Sequence, residues 1–170
     1  MLYNTGLPIV MAGVAMVLDL RTARVDNGWI VFCLGIGLAA RLLEKGPGGL
    51  WDGFMGILLP AAVLGWLFLL RMLGAGDIKL LCALGSILGA AKILECIFFS
   101  MLIGAGISAA ILISTGGISQ RFLYFILYVR ELISTGKITP YYRGGMSSPE
   151  NFHFTVPVFL SVVLYAGGAY

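Results

Sequence analysis

Of the eight acidic residues in this 170-residue chain, Asp19 and Asp77 are the two whose surroundings point to chemistry. Glu44, Asp52 and Glu95 have Arg41, Lys45 and Lys92 close by in sequence and read as solvated charge pairs. Glu131 and Glu150 fall in a charged loop and Asp26 in a turn. Asp19 and Asp77 instead lie where long apolar stretches meet a basic boundary. A carboxylate at the edge of a low-dielectric layer is costly to place there, which makes it a functional candidate by default. If the fold brings the two together, like-charge repulsion leaves them sharing one proton. The ionised member can then take a proton from a water molecule attacking an amide carbonyl, while the protonated member polarises that carbonyl and assists departure of the amine. Such a reaction calls for no metal and no cofactor. Gly74 and Gly76, just before Asp77, are expected to shape a turn where an extended peptide can approach main-chain atoms closely.

Six apolar segments, at about 3–20, 28–43, 50–70, 78–91, 93–114 and 154–169, must position these side chains. The chain is 59% hydrophobic and only 11% charged, with a mean hydropathy of +0.99, which excludes an ordinary water-facing domain, intrinsic disorder and a disulfide scaffold. The expectation is one all-α domain over residues 1–170, a polytopic membrane protein with six transmembrane helices, its first apolar segment a retained helix. Lys and Arg favour cytoplasmic loops. With six spans, eight of the eleven basic residues fall on one side, which places both termini outside and both aspartates at the cytoplasmic face. Anionic lipid headgroups account for the net charge of +3, and no nucleic acid partner is implied. Segment 78–91 is short for a span, so either the bilayer thins locally or the glycine-rich turn before it sits below the headgroups, which would place Asp77 in a recessed cavity that water reaches. Residues 121–134, with Arg121 and Arg130 flanking an apolar run, are expected to form an interfacial helix in the fifth loop, followed by a loop over 135–151.

Blander readings stand beside these. Asp77 has the position of a helix N-cap, and Asp19 is near enough in sequence to pair with Arg21 or Arg24. Cys33, Cys82 and Cys96 have unrelated spacings and read as small buried hydrophobes, and His153, the only histidine, as an interfacial side chain at a helix entrance. Ser100, Gly104 and Ser108, and likewise Gly85 and Gly89, repeat every four residues as helix contact faces. Pro60 is expected to kink the third span. A small proton- or cation-coupled transporter, or a non-catalytic subunit of a secretion complex, would also contain charged groups at membrane depth.

The run Gly74-Ala75-Gly76-Asp77-Ile78-Lys79 resembles the GxGD-x-K segment of type IV prepilin peptidases, the membrane aspartyl proteases that trim pilin precursors. Asp19 with Arg24-Val25-Asp26-Asn27 is similar to that family's first catalytic aspartate and the R-I-P-N segment after it, with Asp26 in place of the usual proline. Residues 154–160 resemble its proline-containing last span. The resemblance implies a catalytic dyad of Asp19 and Asp77, an active-site turn at Gly74 and Gly76, and support from Arg24, Asn27 and Lys79. It implies cleavage of a prepilin or pseudopilin leader at the cytoplasmic face of a prokaryotic cell membrane, as in protein secretion and type IV pilus assembly. It also implies the short, peptidase-only form, because Asp19 comes early and no C-x-x-C pair is present.

Overall fold

In the computed structural model of the chain, residues 2–22, 25–70, 73–115, 126, 127, 130, 134 and 153–170 are described. Four helices run through them: α1 (Leu2–Thr22), α2 (Asn27–Leu69), α3 (Ala75–Thr115) and α4 (Thr155–Ala166). No strand occurs among the described residues, in keeping with an all-α fold. Three of the helices, α1, α2 and α3, are long and apolar enough to cross a membrane, and α4 is a shorter apolar helix. The expected interfacial helix over 121–134 and the loop over 135–151 lie outside the described residues, apart from 126, 127, 130 and 134.

The six expected segments are all helical, but four of them are joined in pairs. Segments 28–43 and 50–70 share α2, and segments 78–91 and 93–114 share α3. Each long helix is two arms meeting at a glycine, Gly46 (φ 61°, ψ −151°) in α2 and Gly89 (φ 78°, ψ 177°) in α3. Those backbone angles are open only to glycine, so one residue does the work expected of a polar loop. Gly89 is therefore the break itself, and its backbone also lies against Gly56 on the expected contact face. Pro60 does not interrupt α2, whose only non-helical angles are at Gly46. At 1.5 Å per residue the arm of α3 before Gly89 is about 21 Å long and the arm after it about 39 Å, so the helix start that carries Asp77 falls well short of the far end of its neighbour.

Arg41 and Asp52 hold the break in α3. Arg41 is 6% exposed, and donates from Nε to the Ile87 carbonyl (2.8 Å) and from a terminal nitrogen to that of Leu88. Its other terminal nitrogen meets Asp52 at 2.8 Å, and Asp52 accepts from the Ala90 N–H at 3.0 Å. The expectation of solvated charge at this pair is corrected: the carbonyls released by the break draw the guanidinium inside. Lys92 and Glu95 do form the expected half-exposed pair, at 2.7 Å.

Packing follows the logic of lipid as solvent. Small polar side chains, Ser86, Ser100, Thr155 and Ser161, are buried, each with a hydrogen-bond partner. Large apolar ones, such as Phe32, Trp51, Trp66, Phe98 and Ile113, face outward. Burying a serine and exposing a tryptophan is unfavourable in water and natural against hydrocarbon. Along the expected small-residue face, Ser100 and Gly104 are buried while Ser108 is exposed. Gly104 abuts Phe154 and Pro157. The closest approach is between α2 and α3, where a Cβ on Gly85 would collide with the Gly56 carbonyl and one on Gly56 with that of Gly85. Because backbone cannot swing aside, Gly85→Ala is expected to cost toward the upper end of about 1–3 kcal/mol. Gly65→Ala, which meets no atom within 4 Å, should be tolerated. Unfolding midpoints in one detergent compare the two.

Candidate active site

Four chain segments converge on one end of the bundle. Asp19 is in the last turn of α1 and Asp77 in the first turn of α3. The start of α2 is fastened to both neighbours. Trp29 donates from Nε1 to the Met11 carbonyl of α1 at 3.3 Å, and Lys79 of α3 donates to Asn27 Oδ1 at 2.9 Å. Asn27 and Lys79, which the resemblance groups as site support, therefore meet directly, while Arg24 lies outside the described residues. Asp26 is the N-cap of α2 and accepts from the Trp29 N–H at 3.3 Å. Its φ of −63° is the value a proline ring enforces, so aspartate here keeps that backbone and adds a cap.

Asp77 has a capping role as well. Its carboxylate accepts a hydrogen bond from the Gly74 N–H, reaching back over the first turn as the third residue of a capping box does. Special backbone angles are not what the two glycines supply. Neither Gly74 nor Gly76 has a positive φ. A Cβ on Gly74 would lie 2.9 Å from Asp77 Oδ2, whereas Gly76 has open space beside it. The lack of a side chain at Gly74 is what lets the carboxylate lie over the turn.

Asp19 finds its partners on a distant part of the chain. His153 Nδ1 lies 2.9 Å from Asp19 Oδ2, and the Thr155 hydroxyl donates to the same oxygen at 2.8 Å. Sequence reasoning missed both as site residues. The available signals were weak: the chain's single ring nitrogen pair, and a threonine opening an apolar helix, where a capping role is the ordinary reading.

Asp19, Asp77, Gly74 and His153 all line one cavity of about 730 Å³. Leu67, Met101 and Phe154 supply much of its apolar wall, and Gly104 and Ala105 leave one side low. Because both carboxylates and His153 line this one cavity, they belong to one site. A space of this size, mostly apolar with a few convergent polar groups, suits a segment of polypeptide.

Comparison with known proteins identifies the family of the chain. The sequence profile described as the type IV leader peptidase family matches residues 7–109, which include both aspartates. A curated relative, the prepilin leader peptidase/N-methyltransferase of Bacillus subtilis (strain 168), is 35% identical over 138 residues, covering 77% of this chain and 52% of that protein. The chain thus spans about half the length of that relative. No solved structure gives a significant match. With most of its helical body matched and two aspartates facing one cavity, the chain belongs to the type IV leader peptidase family.

Proposed function

We propose that this chain is a membrane aspartyl endopeptidase that removes the short leader of a prepilin or pseudopilin, with Asp19 and Asp77 as its catalytic pair. The observation that carries the proposal is the shared cavity: two carboxylates from separate helices open on one space of about 730 Å³. In the reaction, the ionised carboxylate takes a proton from water as the water oxygen bonds to the scissile carbonyl carbon. The protonated carboxyl gives its proton to the carbonyl oxygen; as the tetrahedral intermediate collapses it takes a proton back from a diol hydroxyl while the other carboxyl protonates the departing amine. The pair ends with the one proton it began with. Gly74 keeps the turn slim enough for the substrate to lie across it, and Asn27 with Lys79 fixes the start of α2 against the start of α3.

The six helical arms cross the bilayer, both termini lie outside, and the site faces the cytoplasm. The excess of Lys and Arg in the loops at that end supports this orientation. The shortness of the first arm of α3 supports a site below the headgroups, where the scissile bond next to an apolar segment can reach it without leaving the membrane. Purified protein incubated with a prepilin should yield a shortened product, and absence of cleavage across a panel of prepilins and pseudopilins would refute the proposal.

Two further results are expected. Activity should trace a bell against pH, failing when both carboxyls are protonated and again when both are ionised; a flat profile across both limbs would rule out a shared proton. Lys79→Met, which removes one exposed hydrogen bond to Asn27, should reduce kcat/KM by a few-fold, in line with about 1 kcal/mol for such a bond, and leave insertion unchanged.

A further inference from the structure

We infer that His153 and Thr155 are positioning residues for the Asp19 carboxylate, an inference that rests on the peptidase reading above. Both side chains end on one oxygen, Asp19 Oδ2, at 2.9 and 2.8 Å. Two side chains held to the same oxygen, from directions set by the start of α4, restrict rotation of the carboxylate and leave Oδ1 as the oxygen that meets water. A single flexible partner would not do this.

The local structure argues against an ordinary capping role. Thr155 opens α4, where a hydroxyl commonly serves its own helix, yet the start of α4 has no side-chain cap. The hydroxyl is fully buried and spent on α1 instead. His153 is one-third exposed, lines the cavity beside both aspartates, and is not needed to fill the core. The start of α4 also turns its positive dipole end towards this corner, which favours a carboxylate there. Charged groups facing His153 come from α1, as Asp19, and from α3, as Asp77. The contact joins residues 134 positions apart, so α4 completes a site otherwise built from the first three helices.

The test is a set of variants assayed in one detergent against one prepilin, with folding followed by gel filtration and thermal unfolding. His153→Ala and Thr155→Val should each lower kcat by about 10- to 100-fold with little change in KM, because substrate still binds while the carboxylate is loosely held. His153→Asn, whose amide nitrogen falls near the place of Nδ1, and Thr155→Ser, which restores the hydroxyl, should recover most of the rate. His153→Gln, with its nitrogen displaced, should not. Unchanged kcat in both His153→Ala and Thr155→Val, with the wild type active and Asp19→Asn inactive, would overturn this inference and leave the peptidase reading intact. An inactive wild type would strike at that reading instead. A fall in activity matched by a fall in folded protein, with no rescue by Asn or Ser, would show a purely structural contact and also overturn it.

Discussion

Asp19→Asn and Asp77→Asn should each reduce prepilin cleavage by at least about 10²–10⁴-fold, the range in which a positioned proton donor or acceptor contributes. Asparagine matches aspartate in size and still offers an oxygen to His153, Thr155 or the Gly74 N–H. Neither helix end should therefore come apart, and the yield of folded protein should match the wild type. What the amide cannot do is take up and return a proton. Because the pair acts as a unit, the double variant should be scarcely worse than either single one. Timed cleavage of one substrate by the three variants decides the matter. Substantial turnover by either single variant would remove that residue from the mechanism, and additive losses would mean that the two carboxylates act separately.

The residues that carry this expectation were legible in the sequence because each rests on local information. An aspartate at the end of an apolar run is conspicuous whatever its partners, and the spacing of Gly74, Gly76 and Asp77 is a short-range pattern. The close packing at Gly85 was legible for the same reason, since a small residue in an apolar helix implies a neighbour close by. The partner of Asp19 was not. His153 and Thr155 reach it across most of the chain, and nothing in an isolated histidine before an apolar helix distinguishes a headgroup contact from a contact with a partly buried carboxylate.

The continuity of α2 and α3 was hidden for a different reason. Charged and Gly/Pro-rich residues at 44–49 and around 92 suggest loops by composition, but composition does not reveal that one glycine at positive φ lets two helices join end to end. Arg41 shows the same limit. By spacing it belongs with Lys45 at a wet boundary, and only the break at Gly89 supplies the carbonyls that make its burial favourable. A tertiary hydrogen-bond demand overrode a sequence-local reading of charge.

That junction leads to the largest stability effect expected in the molecule. Arg41→Ala removes the donors that satisfy Ile87 and Leu88 and the cation beside Asp52, and truncating one partner of a buried charged network costs about 3–5 kcal/mol. Arg41→Lys should recover only part of this, because a single ammonium cannot fork to two carbonyls and a carboxylate at once. Gly89→Ala should be comparably severe. It forces a side chain into backbone angles that cost about 1–3 kcal/mol, and it drives the new Cβ into both Arg41 and Asp52. Asp52→Asn should be the mildest of the set: Asp52 is 40% exposed on its side chain, and an amide oxygen can still accept from Ala90. The junction lies about 18 Å of helix from Asp77. At low temperature, surviving protein should therefore cleave at nearly the wild-type rate per folded molecule, while unfolding midpoints fall in the order Asp52→Asn, Arg41→Lys, then Arg41→Ala and Gly89→Ala. An Arg41→Ala protein that unfolds at the wild-type temperature would show that the clasp contributes nothing. A variant that stays fully folded yet loses cleavage would show that the break in α3 is mechanically coupled to the carboxylates at its other end.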